Sequence, residues 1–167
     1  GGSVGLSSIG PSCKIRGEVT DSIFLGYSNK AHDGHIGHAV LGRWVNLGAG
    51  TINSDLKNTY SSVRLRFPAG EVDTGLMKCG SFIGDHVKTA ICTRIMTGTV
   101  IHTGSMIATT AAASGCIGRF SWCTDAGVKK YRVEKFLEVA AAAMERRKVP
   151  LSEAYTERVR GLAGMGG

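Results

Sequence analysis

Aliphatic or threonine residues recur every six positions at Ile83, Thr89, Ile95, Ile101 and Ile107, and Val87, Thr93, Thr99, Ser105 and Ala111 follow them by four. This period matches neither the ~3.6 residues of a helical turn nor the alternation of a lone strand. It demands a short strand, a corner, and the return of the next side to the same inward place. Large aliphatics then fill the interior and small residues the tight corners. Such sides close into coils that touch only the coils above and below, so the period confines the chain to a parallel β-solenoid.

The same beat begins at Ile9 and Ile15 and becomes ragged near Asp21 to Phe24. It resumes at Leu25, Ala31, Ile36, Leu41 and Leu47. The steps Ala31 to Ile36 and Ile36 to Leu41 are five residues and Leu41 to Leu47 six, so this reading sets Ala31 one coil under Leu47. Adjacent rungs lie about 4.8 Å apart, which places His32 under Gly48 and beside the backbone of Ala49.

The repeat divides the chain into a first solenoid part over 1–53 and a second over 83–111, with 54–82 expected to leave the coil as a loop or hairpin arm. Within the arm Val63, Leu65 and Phe67 alternate with Arg64 and Arg66, the pattern of a half-exposed strand. Residues 112–128 read as a terminal crossing segment and 129–167 as helices. Val133, Leu137, Ala140 and Met144 mark one face of a helix over roughly 130–147, Pro150 breaks it, and Ser152 is placed to cap a second helix. Helices there would cover the open end of the solenoid, whose exposed sheet edge and apolar core invite association.

Gly supplies 24 of 167 residues and aromatics only 7%, which suits a turn-dense solenoid with an aliphatic core. Five cysteines, none in a C-x-x-C pair, suggest neither a zinc knuckle nor a disulfide framework and read as mostly buried small hydrophobes in a reducing cytoplasm. With no apolar run of membrane-spanning length, no membrane partner is expected. The net charge of +7 favours anionic ligands, though much of it lies in the helical tail, and nothing but that charge speaks for nucleic acid. The chain lacks an initiator Met and opens on Gly1 inside what already reads as the repeat, so a fragment of a longer protein is expected, with any missing part upstream.

At Ala31-His32, followed by Val45-Asn46-Leu47-Gly48-Ala49-Gly50-Thr51, the sequence resembles the carboxy-terminal acetyltransferase domain of bifunctional N-acetylglucosamine-1-phosphate uridylyltransferases. Ser54-Asp55-Leu56-Lys57-Asn58-Thr59-Tyr60, Gly84-Asp85-His86-Val87-Lys88-Thr89 and Phe120-Ser121-Trp122 look closer still to the sugar-nucleotidyltransferase-like relatives of those enzymes. The resemblance implies a mainly β fold, a left-handed parallel β-helix of hexapeptide repeats with an inserted arm and a C-terminal helical segment, assembled as a homotrimer. It further implies transfer of acetyl from acetyl-coenzyme A to the amine of a hexosamine 1-phosphate, with a nucleotidyltransferase domain upstream. Carried over by position, His32 matches the general base, Asn46 a substrate-site residue, and Ala49 the residue whose backbone N–H faces the thioester carbonyl. Asp55 stands where the better-known branch has a functional Asn, and His35 where it has a Tyr.

Amide formation from a thioester requires the amine to lose a proton as the tetrahedral oxyanion collapses, a transfer suited to imidazole. His32 and Ala49 are therefore the candidate catalytic pair, with His35, Asn46, Asp55 and Lys57 for substrate. Ala49 and Lys88 are the candidates for acetyl-coenzyme A, whose phosphates need charge-assisted donors. No metal is expected in this domain. Two other readings stay open: a non-catalytic domain that trimerises and stabilises a sugar-1-phosphate nucleotidyltransferase, and zinc hydration chemistry, which would need His32, His35 and His38 to converge with a neighbour's residues.

Overall fold

The computed structural model describes residues 2–165, and its stacked parallel strands form the β-solenoid that the six-residue period requires. One face stacks six strands, Ser8–Ile9, Ile23–Gly26, Val40–Arg43, Phe82–Ile83, Val100–Ile101 and Cys116–Ile117, each on the next. Inward residues form columns. Ile9, Phe24, Leu41, Ile83, Ile101 and Ile117 occupy successive rungs of this face. Val4, Val19 and Ile36 open a second column, which Asn53, Ile95 and Ala113 continue. Apart from Phe24 and Asn53 the residues of these two columns are aliphatic, in keeping with the low aromatic content.

The third column corrects the stacking read from the sequence. Asn29 pairs with Asn46, so the inward residue under Leu47 is Lys30, and Ala31 is not the inward residue of its side. From Lys30 through Ile36 and Leu41 to Leu47 the steps are six, five and six, a coil of seventeen residues. A lysine tolerates this place because its methylenes extend the column between Ile15 and Leu47. Its ammonium reaches the corner and donates to the carbonyls of Arg16, at 3.2 Å, and His32. Lys30 is 1% exposed, and burial lowers its pKa, with Asp33 opposing the shift.

The arm is present as an antiparallel hairpin of Arg64–Phe67 and Gly70–Asp73. Val63 and Leu65 pack with Cys79, Val100 and Phe82, which lays the arm against the solenoid. Phe67 stays exposed. Glu71 receives Arg66 at 3.0 Å and Arg64 at 3.2 Å across the hairpin, and these cations hold its carboxyl below the usual range.

Residues 112–128 do not cross away from the repeat. Cys116–Ile117 and Ser121–Thr124 pair in parallel with the coil beneath, and Gly127–Lys130 folds back antiparallel on Ser121–Thr124. Ile117 and Cys123 keep a six-residue step between them, but the step from Ala113 to Ile117 is four, and the small Ala112-Ala113-Ser114-Gly115 run hides this shortened side. The helical part therefore starts later than residue 129, with α1 at Val133–Glu145 and α2 at Glu153–Gly164. Ser152 caps α2, its hydroxyl accepting from the Tyr155 N–H at 3.2 Å.

Both helices pack on one corner of the solenoid, where Tyr27, Trp44, His86 and Phe120 all hold left-handed backbone conformations. Their rings rise as a column, with Tyr27 on Trp44 at 4.3 Å and Trp44 on His86 at 6.0 Å. Gly104 makes room for the next ring, because a Cβ there would lie 2.6 Å from Phe120 Cδ1. Phe136 of α1 meets Phe120 and His86 edge-on at 5.1 and 5.4 Å. Tyr155 of α2 bonds His86 Nε2 at 2.8 Å. His86 is thus a buried contact between solenoid and helices, and Trp44 packs at its corner.

Burial, with Lys88 adding to it, pushes the His86 pKa down to about 3 from 6.5. The unfolded chain takes up this proton first as pH falls, so the stability carried by neutral His86 is complete above pH 6.5 and drains away toward about 3. Urea midpoints of wild type and His86→Gln should therefore converge as the pH is lowered from 7 toward 4. A gap independent of pH would contradict this.

Cys79 and Cys123 are buried as expected, Cys13 and Cys116 are half-buried, and Cys92 is exposed; all are free thiols. No helix among the described residues is long and apolar enough to cross a membrane.

Candidate active site

The sequence-derived site residues fall into separate groups on the solenoid. The first is the corner that carries His32. Seventeen-residue stacking holds on both sides of it: Asn29 pairs with Asn46, and a Cβ on Gly34 would collide with the carbonyl of Thr51. His32 is therefore in register with Ala49 itself, one position beyond the Gly48 expected from the shorter coil. The imidazole of His32 is exposed, and the Lys30 ammonium pins the His32 carbonyl from inside. Above it, the Ala49 carbonyl accepts from Cys92 N–H at 2.7 Å, whereas the Ala49 N–H finds no acceptor among the described residues. An exposed imidazole one rung from an unused backbone donor is an arrangement able to accept a proton and stabilise an oxyanion.

The second group joins His35 and Asp55 and adds residues the sequence reading did not assign to the site. Asp55 Oδ2 lies 2.7 Å from His38 Nδ1 and 3.9 Å from His35 Nε2. Farther out, Glu18 approaches His35 Nδ1 at 3.5 Å and Asp21 approaches His38 Nε2 at 3.8 Å. Imidazoles and carboxylates thus alternate along one edge. His38 sits at a corner with φ 48 and is oriented by Asp55. Gly37 keeps this edge open, since a Cβ there would meet both His35 Nε2 and Asp55 Oδ2. Such an edge accepts protons and hydroxyl or ammonium donors. Among the described residues no group of three or more His, Cys, Asp or Glu side chains is disposed to hold a metal.

Asn46 and Lys88 form a third group, paired across adjacent rungs on the opposite side of the His32 corner. They line a cavity of about 280 Å3 together with the end of α1. Lys57 joins none of these groups, because its ammonium is turned into its own loop, onto the carbonyl of Ser62 and the hydroxyl of Ser61 at 3.4 Å.

Lys30, Glu18 and Asp21 were missed by sequence reasoning. A strict six-residue count from Phe24 would have put Lys30 inward, but a lysine is not sought in an aliphatic column. Glu18 and Asp21 come to the site only through the seventeen-residue offset, which that inward lysine sets.

No protein-family model matches the chain. Over 84 residues, half of the chain, it is 33% identical to the bifunctional sugar-1-phosphate nucleotidylyltransferase/acetyltransferase of Sulfurisphaera tokodaii, covering 21% of that protein. It is 30% identical over 99 residues to the bifunctional protein GlmU of Methanococcus vannielii, covering 59% of the chain and 23% of the relative. With the bifunctional protein GlmU of Methanococcus aeolicus it shares 31% identity over 101 residues, 60% of the chain and 23% of the relative. The matches span only about a fifth of the length of these curated relatives. The similarity is thus to bifunctional nucleotidyltransferase–acetyltransferase proteins, the group singled out from His32 and the Val45–Thr51 segment.

Proposed function

We propose that this chain transfers the acetyl group of acetyl-coenzyme A to the amine of a hexosamine 1-phosphate. The observation that supports this reading is the stacking of the exposed His32 under the unused Ala49 N–H. The amine attacks the thioester carbonyl, whose developing oxyanion takes the Ala49 N–H as donor, and His32 accepts the proton lost by the nitrogen. Collapse of the intermediate breaks the carbon–sulfur bond, and the departing thiolate takes up a proton. An N-acetylhexosamine 1-phosphate and free coenzyme A result. The carboxylates and imidazoles around Asp55 suit an amino sugar, offering acceptors for its hydroxyls and for the ammonium form of its amine.

The reading includes a homotrimer. Ile23 and Leu25 stay 45% and 49% exposed on one solenoid face, an apolar strip available for self-association. Light scattering should give about three times 17.6 kDa, and a monomer would remove the trimer from the proposal.

Acetyl-coenzyme A incubated with glucosamine 1-phosphate or galactosamine 1-phosphate should release free thiol in step with acetylated sugar. Absence of turnover across a panel of amino sugars would leave the alternative, a domain that only assembles and stabilises a nucleotidyltransferase.

A further inference from the structure

The cavity that holds Asn46 and Lys88 has a chemistry of its own. On the solenoid, Lys14, Asn29, Asn46 and Lys88 form an outward row on successive rungs. Facing it are Arg146, which caps the C-terminal end of α1, and Arg147. Arg147 Nη2 donates to Asn29 Oδ1 at 2.6 Å, and Asn29 Nδ2 donates to Asn46 Oδ1 at 3.3 Å. This chain of bonds fixes the guanidinium over the row and leaves the Asn46 amide nitrogen without an acceptor among the described residues. Tyr27 and Trp44 supply an aromatic wall.

No carboxylate lines the cavity, and among the described residues none of Lys14, Lys88, Arg146 and Arg147 belongs to an ion pair. That separates it from the other charged clusters: the arm and the helix pair match their arginines to Glu71 and Glu134. Burial also disfavours the charged form of Lys88. Like charges gathered at the edge of a low-dielectric wall repel one another, and a bound anion would relieve that repulsion. Planar guanidinium forks with flanking ammonium groups are the donor set that suits phosphoryl oxygens. The volume of about 280 Å3 admits a phosphate with a small attached group.

We propose that this cavity, between the Lys14–Lys88 row and the end of α1, binds the phosphate group of a small phosphorylated ligand. Lys88 and Arg146 grip the oxygens, Lys14 adds long-range attraction, and the Asn46 amide donates the remaining hydrogen bond. The site lies apart from His32, Ala49, His35 and Asp55; it takes in Asn46 and Lys88, which the sequence offered for substrate and acetyl-coenzyme A, and adds a defined phosphate site to the acetyl-transfer reading. It stands or falls independently of that reading.

Calorimetric titration with inorganic pyrophosphate tests it. Saturable binding is expected that weakens as salt is raised, with affinity falling about tenfold or more in Lys88→Met and in Arg146→Ala, the loss of a hydrogen bond to a charged group. Arg146 is exposed, so its replacement leaves the core intact and the melting temperature should not move. Lys135→Ala, on the far end of α1 and paired with Glu138, should bind like wild type, as should His32→Ala. Displacement of pyrophosphate by glucosamine 1-phosphate would identify a sugar phosphate as the source. Displacement by coenzyme A but not by its dephospho form would identify the coenzyme's 3′-phosphate. Absence of saturable binding, or equal binding by wild type and both cavity variants, would overturn the proposal.

Discussion

Replacing His32 by Ala is expected to lower kcat for acetyl transfer by about 10² to 10⁴, the usual contribution of a general base. At about 1.4 kcal/mol per decade this is roughly 3 to 5 kcal/mol of transition-state stabilisation. The fold should not suffer, because the side chain is exposed and the corner is held by the Lys30 ammonium on the His32 carbonyl rather than by the imidazole. The comparison that gives the result meaning is His38→Ala. His38 is the better-oriented histidine, gripped by Asp55 at 2.7 Å, but it stands at the other end of the short strand His35–Gly37. If His38→Ala abolished turnover while His32→Ala retained it, the base would belong to the carboxylate–imidazole edge. The proposed pairing with Ala49 would then be lost.

Leu41→Ala is expected to destabilise the chain by about 2 to 5 kcal/mol. Leu41 is fully buried, stacked between Phe24 and Ile83 in the column that runs through the solenoid. Each rung covers the next, so a cavity there strips contacts from the coils on both sides, and the short strands have little else to hold them. For a domain of this size the melting temperature should fall by roughly 4 to 20 °C. Leu25, a short way along the same face, is 49% exposed and Leu25→Ala should cost well under half as much in the isolated chain. Equal losses at the two positions would contradict the inward assignment of Leu41 and the outward one of Leu25.

How far the architecture could be read beforehand depended on whether the inward residues looked like core residues. Ile83, Ile95, Ile101 and Ile107 did, and the columns follow them. Lys30 did not. A count that sought an aliphatic moved to Ala31 and shortened the coil by a residue, although the side chain in the interior is a lysine whose ammonium is satisfied by carbonyls at the corner. The last coil was hidden differently, since alanines and Gly115 replaced the large residues just where the chain was about to turn into its hairpin.

The neighbourhood of His32 and Ala49 was legible to within one residue, because stacking between adjacent coils alone brings the two positions together. Site residues were not legible where a long excursion intervenes. Asn46 meets Lys88 only after the arm has left and returned, and Arg147 reaches Asn29 from the far end of the chain. The Arg147 contact depends on where the helices dock, which is decided by the aromatic column of Trp44, His86 and Phe120 rather than by any local pattern.

In the proposed acyl-transfer site the Ala49 amide lies over His32 as the oxyanion donor. Labelling the backbone nitrogens and titrating with an unreactive analogue of acetyl-coenzyme A tests this placement most directly by nuclear magnetic resonance. The Ala49 amide resonance is expected to move strongly downfield as a hydrogen bond forms, and the ring signals of His32 to shift with it. An Ala49 resonance that stays in place while the analogue binds elsewhere would contradict it.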